Sequence, residues 1–218
     1  MPPWWRTTWF QLLAAAAGAA LLAAAWNWRS RKLRTHRLKL ERRLKEHAAL
    51  LHRAMRDSLT GLWNRTSILE ILAREIELAK QHSAPLAVAI IDVDHFKRIN
   101  DSRGHLAGDE VLRTLGEKLA GKIRTADSLG RYGGEEFLLV APGVPTQRPF
   151  LPLERLRRAI AKIPFSFDGS PISVTASFGV AWLIPASDGP QELLARADAA
   201  LYSAKYAGRN RVEYAAIG

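Results

Sequence analysis

Residues 131–140 read Arg-Tyr-Gly-Gly-Glu-Glu-Phe-Leu-Leu-Val, and upstream of them residues 86–94 read Leu-Ala-Val-Ala-Ile-Ile-Asp-Val-Asp. In both stretches a short apolar run of strand-forming residues meets a carboxylate that the apolar pattern does not require. Leu86–Ile91 runs into Asp92, and Glu135-Glu136 runs into Phe137-Leu138-Leu139-Val140. Two strands ending in acids and paired side by side form a site for a hard divalent cation and the phosphates it carries. One acid at a strand end is ordinarily a solvated turn residue. Two such acids on neighbouring strands call for another reason.

Working outward, Asp57-Ser58-Leu59-Thr60-Gly61-Leu62 has turn chemistry and marks the start of a globular part. Asn64 is placed to cap a helix running to about Gln81, with Ile68, Leu72, Ile76 and Leu78 among its apolar positions, and Pro85 closes that stretch. Gly108–Lys122 reads as a helix with Val111, Leu112, Leu115 and Leu119 on one face. Ser128–Tyr132 and Glu135–Ala141 flank Gly133-Gly134, the signal of a two-residue hairpin with a primed turn. Further on the pattern predicts a helix over about Leu153–Lys162, a strand over Ile172–Trp182, a helix over Pro190–Tyr206 closed by Gly208, and a last short strand at Val212–Tyr214. Strands alternate with helices around one central hairpin, which predicts an α/β (α+β) sandwich on a split βαβ plan.

The chain of 218 residues is long enough for one such domain and additional segments. It has no cysteine, so disulfides, zinc–thiolate sites and thiol nucleophiles are excluded. The net charge of +11 is unevenly spread: residues 1–56 hold 12 Lys and Arg against 2 Glu, while residues 57–218 hold 20 against 19 acids. The globular part is thus close to neutral, which argues against a nucleic-acid partner. A basic stripe beside an apolar stretch reads first as a membrane flank.

Trp9–Trp28 is twenty residues long, broken only by Gln11, Gly18 and Asn27, and matches a bilayer-spanning helix. Trp4, Trp5 and Trp9 at one end and Trp26 and Trp28 at the other fall where an aromatic belt would sit. Arg29, Arg31, Lys32, Arg34 and Arg37 follow at once, against Arg6 before it, which places the C-terminal side in the cytoplasm. A cleaved signal peptide ending near Ala23-Ala24-Ala25 and a buried Ala-rich helix are the rival readings; the basic cluster opposes the first, and the flanking tryptophans and the length oppose the second. Residues 29–56 contain no Gly or Pro and read as helix, with Leu33, Leu40, Leu44, Leu51 and Ala54 on one seam that Arg37 and His47 interrupt. This is either a weak coiled coil or a solvated connector. The predicted organisation is a membrane segment over 1–28, a basic helical stalk over 29–56 and a globular domain over 57–218.

Taken together, the motifs resemble the GGDEF diguanylate cyclases. The residues that carry the resemblance are Asp57–Arg65, Ile91–Asp101, Gly104-His105, Gly108-Asp109, Arg131–Phe137, Ser177–Ala181, Asp198–Lys205 and Gly208-Arg209-Asn210. The resemblance covers residues 57 to about 214. It implies a palm-like nucleotide-cyclase fold, a central mostly antiparallel sheet flanked by helices. It also implies condensation of two GTP molecules into cyclic di-GMP with release of two pyrophosphates. The signature's third position is Glu135 rather than Asp, and both residues occur in active members.

The resemblance implies Asp92, Glu135 and the Val93 carbonyl as ligands of Mg²⁺ or Mn²⁺, an ion that takes oxygen ligands and leaves positions for triphosphate. Glu136 falls near the ribose 3′-hydroxyl; Glu135, Glu136 or a hydroxide on the metal would take its proton. Gly133 and Gly134 let the backbone approach the nucleotide. Phe96 and Lys97 open the loop after the first strand, their amides and the lysine holding β/γ-phosphates, with Lys97 stabilising developing charge. Lys205 and Arg209, four apart on the last helix, reach the same phosphates. Asn100 and Asp109 match the hydrogen-bonding edge of guanine, and His105 is a turn residue near the base.

Arg124-Thr125-Ala126-Asp127 resembles the family's RxxD product-inhibition site, with Arg155 as a candidate partner. Around Pro145–Pro152 the chain departs from the family pattern, Pro149 and Pro152 opposing an early helix start near Arg155. Because one domain holds one GTP and the product needs two bonds of opposite sense, the expected active form is a two-fold homodimer. The implied whole is a product-inhibited cyclase on the inner membrane, single-pass, with its domain in the cytoplasm. The alternative is a non-catalytic module that binds cyclic di-GMP or GTP.

Overall fold

The computed structural model describes residues 3, 5, 8–146 and 151–216; side chains 14, 30, 31, 33–38, 40–42 and 44–52 fall outside that description. The expectations for Trp4, Arg6 and Pro149, for the side chains of Arg31, Arg34 and Arg37, and for the seam from Leu33 to Leu51 therefore lie outside the described residues. The chain divides into two units, Met1–His52 and Arg53–Gly218.

The first unit is carried by α1 (Thr8–Ala54), a single helix of 47 residues. At 1.5 Å per residue it is about 70 Å long. Its part from Thr8 to Arg29 is long and apolar enough to cross a membrane. Trp9, Leu12, Leu13, Leu21, Leu22, Trp26 and Trp28 are all exposed along it. The Lys32 ammonium lies over the Trp28 ring, 5.1 Å from its centroid, so one turn joins the aromatic end of the apolar run to the basic run that follows.

The second unit is a mixed α/β fold. Its elements are α2 (Arg65–His82), β1 (Leu86–Val93), α3 (Phe96–Arg103), α4 (His105–Ala120), β2 (Ser128–Arg131), β3 (Glu136–Pro142), α5 (Leu151–Ile160), β4 (Phe165–Phe167), β5 (Ser170–Ile172), β6 (Ala176–Trp182), α6 (Pro190–Tyr206) and β7 (Val212–Tyr214). Five strands form one sheet in the order β2-β3-β1-β6-β7. All neighbours are antiparallel except β6 and β7, which are parallel.

Every residue of β1 is buried, because helices cover both faces of the sheet. Alternate side chains divide accordingly. Ala87, Ala89, Ile91 and Val93 enter the core shared with α4 and α5. Leu86, Val88 and Ile90 enter the core shared with α2 and α6, where they meet Ile68, Leu72, Ile76, Leu193, Ala197 and Leu201. α2 follows the predicted stripe, and Asn64 caps it by accepting from the Ser67 amide at 3.0 Å. Leu78 does not belong to that stripe; it is 40% exposed, since it stands about 200° around the helix from Ile76.

Four elements differ from the sequence reading. The segment opening at Phe96 is a helix, not a loop, so Asn100-Asp101 lies in helix rather than in a turn. Phe96 and Ile99 are buried and anchor this short helix despite its polar remainder. α4 begins at His105, three residues earlier than expected, and α5 begins at Leu151. Pro152 sits in the first turn of α5, where its missing N–H has no partner to lose. The strand expected over Ile172–Trp182 is interrupted: β4 and β5 form a separate two-stranded hairpin. Its turn is Asp168-Gly169, both at positive φ (48° and 73°), an Asp-Gly primed-turn signal that the sequence carried.

Candidate active site

The register of β1 against β3 places Asp92 opposite Glu136, and the Val93 amide donates to the Glu135 carbonyl at 3.3 Å. Three carboxylate residues thus stand at one end of two paired strands. Asp92 is only 6% exposed. Burial pushes its carboxyl up to about 6; the Lys205 ammonium opposes the rise, and Glu135 and Glu136 add to it. Lys205 Nζ lies 2.8 Å from Asp92 Oδ2. Among the described residues no three His, Asp or Glu side chains converge as a complete metal-binding group. The donor set is hard oxygen in character and small in number, which fits Mg²⁺, a cation held by one or two carboxylates with substrate oxygens completing its shell. The lysine ammonium on Asp92 marks the place where positive charge is accepted.

The hairpin is wider than predicted. β2 ends at Arg131 and β3 begins at Glu136, leaving Tyr132–Glu135 as a four-residue connection, so Glu135 precedes β3 rather than belonging to it. Neither Gly133 nor Gly134 is among the residues at positive φ, so this is not a primed two-residue turn. The connection is held instead by Arg131, whose Nε and Nη2 donate to the Gly134 carbonyl at 3.1 and 2.8 Å. Its Nη1 donates to Asp57 Oδ1 at 3.3 Å. Asp57 also accepts from the Thr60 amide and hydroxyl at 2.9 and 2.8 Å. Burial works to raise the Asp57 pKa, but these donors together hold it below the usual carboxylate value. Gly133 has a local reason: a Cβ there would meet Glu136 Oε2 at 2.5 Å, so the missing side chain lets the Glu136 carboxylate fold back against the turn.

Asp94, quoted in the strand-end motif but given no role, is 4% exposed. It accepts from Thr175 Oγ1 and Ser177 Oγ, each at 2.7 Å, and from the Asn210 amide at 3.0 Å. It therefore ties the end of β1 to β6 and to the segment after α6. The available signal was period two: Asp92 and Asp94 share one side of the strand, and the hydroxyls of Thr175 and Ser177 share one side of the next.

Lys97 is exposed on α3, and Phe96 before it is buried. Asn100 stands one turn further along the same helix. Its Oδ1 is buried without a hydrogen-bond partner, and a Cβ on Gly108 would overlap that oxygen. Gly108 thus makes a recess for the Asn100 amide, with half-buried Asp109 next along α4. His105 is the exposed first residue of α4, not a turn residue.

Arg209 is not on the last helix. α6 ends at Tyr206, and Arg209 follows Gly208 at φ 63°, its amide donating to the Ala204 carbonyl at 3.0 Å. The reading of Lys205 and Arg209 as one helical face is therefore replaced by a left-handed turn that folds Arg209 back over the helix end.

On the other side of the domain Arg124 Nε donates to Asp127 Oδ1 at 3.0 Å, and Arg124 Nη2 to the Pro142 carbonyl at 3.2 Å. The Asp127 carboxylate hydrogen-bonds the guanidinium and holds its pKa above the usual value, against a burial effect that lowers it. Arg155 is exposed on α5 and lines a hollow of about 300 Å³ with Lys122, Pro152, Leu156 and Ala159.

A family profile described as "Diguanylate cyclase, GGDEF domain" matches residues 54–211. Diguanylate cyclase DgcP of Pseudomonas aeruginosa is 44% identical over 163 residues, 75% of this chain and 24% of that protein. Cyclic di-GMP phosphodiesterase NbdA of the same organism is 38% identical over 213 residues, 93% of this chain and 26% of that protein. The chain thus spans about a quarter of the length of these curated relatives. Among solved structures, the coiled coil and GGDEF domain of DgcB from Caulobacter crescentus, in complex with c-di-GMP, aligns with a TM-score of 0.78 at 29% identity, covering 84% of this chain and 97% of that one. A mostly antiparallel sheet with acids gathered at one strand end, and a profile match over residues 54–211, lead to one conclusion: the chain belongs to the diguanylate cyclase GGDEF-domain family.

Proposed function

We propose that this protein condenses two GTP molecules into cyclic di-GMP, releasing two pyrophosphates. The observation that carries the reading is the β1–β3 register, with Asp92 opposite Glu136, Glu135 beside them and Lys205 2.8 Å from Asp92. Asp92, Glu135 and the Val93 carbonyl would hold Mg²⁺ or Mn²⁺. Such an ion, when bound, neutralises charge on the transferring phosphoryl group. Lys97, the amides around Phe96, Lys205 and Arg209 bind the β/γ-phosphates and draw them toward this strand end. Asn100, with its buried unpaired Oδ1, and Asp109 select guanine, whose N–H groups supply the donors that oxygen lacks. Glu136, whose carboxylate lies against Gly133, would accept the 3′-hydroxyl proton in this reading, as Glu135 or a hydroxide on the metal would in its place.

Two such domains related by a two-fold axis supply one GTP each, so activity requires a homodimer. The apolar part of α1 anchors the chain in the inner membrane as a single pass, with the basic run on the cytoplasmic side. Linking two domains through α1 raises their effective concentration. Arg124 and Asp127, with Arg155, bind product and inhibit. The proposed boundaries are a membrane segment over 1–28, a stalk over 29–56 and the catalytic domain from 57 onward.

A pyrophosphate-release assay with GTP and Mg²⁺, run across protein concentration, tests the reading. Turnover that rises more steeply than linearly is expected, and Asp92→Asn abolishes it while the protein stays folded. Retained turnover in that variant refutes the assignment. The rival reading is a non-catalytic signalling module that binds cyclic di-GMP or GTP. Binding of cyclic di-GMP with no pyrophosphate at any concentration would select it.

A further inference from the structure

Lys205 reaches the strand end because of where α6 is held. Leu201 and Ala204 are buried against the sheet, and one turn after Leu201 the same helix face presents Lys205. Its side chain is 34% exposed, that of Asp92 9%, and their charged atoms are 2.8 Å apart. The ammonium therefore closes the carboxylate against solvent. Glu136 stands opposite in the β1–β3 pairing, and Glu135 adds further negative charge. A buried carboxylate among other acids requires a cation, and Lys205 supplies it.

A divalent cation on Asp92 would share the carboxylate whose Oδ2 the Lys205 ammonium holds at 2.8 Å. Two cations on one carboxylate repel each other, so neither holds it at full strength. Among the described residues the site's own acids do not make a complete metal-binding group, so a free cation gains few ligands here. A triphosphate changes both sides of that competition. It brings oxygens to complete the metal's shell, and it offers the ammonium a new anion within reach of a flexible four-carbon stem.

We propose that Lys205 is the resident counter-ion of the metal site, withholding Asp92 from a free divalent cation and yielding it when a triphosphate takes up the ammonium. This rests on the metal-and-nucleotide reading above and adds an order to it. The free cation binds weakly; the cation with its triphosphate binds tightly. By linkage, the factor by which nucleotide strengthens metal binding is the factor by which metal strengthens nucleotide binding, and Lys205 contributes to that factor.

The test is a Mn²⁺ titration of the whole chain in detergent, followed by electron paramagnetic resonance at pH 8, above the pKa of Asp92. It is run alone and with 3′-deoxy-GTP, which lacks the attacking hydroxyl. Lys205→Met keeps side-chain length and removes the charge; Lys205→Gln serves if the first variant fails to fold. An opposite charge in contact with a carboxylate shifts its proton affinity by about one to three pKa units. The same competition predicts Mn²⁺ alone binding on the order of tenfold more tightly in Lys205→Met. Binding with 3′-deoxy-GTP weakens in the same variant, and Lys205→Arg stays as weak as wild type for the free ion. Free Mn²⁺ bound no more tightly by Lys205→Met and Lys205→Gln overturns the proposal. Asp92→Asn separates the two levels of the argument. If it abolishes Mn²⁺ binding while the lysine variants leave the free-ion affinity unchanged, the counter-ion role alone fails. If it leaves Mn²⁺ binding intact, the metal reading fails with it.

Discussion

Gly179→Ala should unfold the second unit more readily and loosen its grip on nucleotide. Gly179 is in the middle of β6, and every residue of that strand is buried. A Cβ built there would overlap the Ala197 carbonyl oxygen and the Leu201 amide nitrogen and lie 2.7 Å from Leu201 Cα. All three are backbone atoms of α6, so no side chain can turn aside. Ordinary contact requires about 3.4–4 Å, and the helix must move outward by about 1 Å. That shift lifts Leu193, Ala197, Leu201 and Ala204 from the sheet together. Overpacking costs about 1–3 kcal/mol, and a backbone clash belongs at the upper end. For a unit of this size, about 3 kcal/mol lowers the melting temperature by about 6–12 °C. The displacement also carries Lys205 away from Asp92, now 2.8 Å distant. Differential scanning calorimetry on the whole chain in detergent, paired with a GTP-analogue titration, reads both effects. A melting temperature within about 1 °C of wild type would refute the argument, because it would mean that α6 yields freely at this crossing.

Asp92 has a folded pKa of about 6 against an ordinary value of 3.8, so between those values the native state holds more protons. Stability from this group therefore falls as pH rises from about 4 to about 6, by about 2–3 kcal/mol in total; denaturant unfolding of wild type minus Asp92→Asn across that window should show it, and a flat difference would contradict it. Metal binding runs the other way, strengthening with pH through about 6 and levelling above pH 7. Asp94→Ala removes the acceptor of the Thr175 and Ser177 hydroxyls and the Asn210 amide; leaving buried donors unpaired costs about 1–3 kcal/mol each at most, so a loss of about 3 kcal/mol or more in denaturant unfolding is expected, and a loss below about 1 kcal/mol would rule the tie out. Arg124→Ala should relieve inhibition by added cyclic di-GMP while leaving the initial rate near wild type, and an unchanged inhibition curve removes that site.

Much of the fold was legible because its signals are local. β1 is a run of apolar residues too short for a buried helix. α2 announces its start with Asn64 and its end with Pro85. α6 has Pro190 at its first position and Gly208 beyond its end. Where the reading failed, local signals were weak or misleading. α3 is polar, with Phe96 and Ile99 its only buried residues, and only their tertiary partners make it a helix. Gly133-Gly134 has the composition of a primed turn, yet Arg131 holds the connection open across four residues through a contact to Asp57, 74 positions away. The Asp168-Gly169 turn was present in the sequence but lay outside the strand boundaries drawn from β-branched content.

The sequence by itself determined that two strands end in acids and that a hydrophobic run with a basic flank precedes the globular part. Those facts follow from side-chain chemistry and periodicity, which each residue carries wherever it is placed. Only the tertiary structure decided that Glu136 rather than Glu135 stands opposite Asp92, that Asp94 ties three segments together, and that Lys205 rests on Asp92. These depend on strand register and on how closely α6 crosses β6, and both are fixed by packing between residues far apart in the chain.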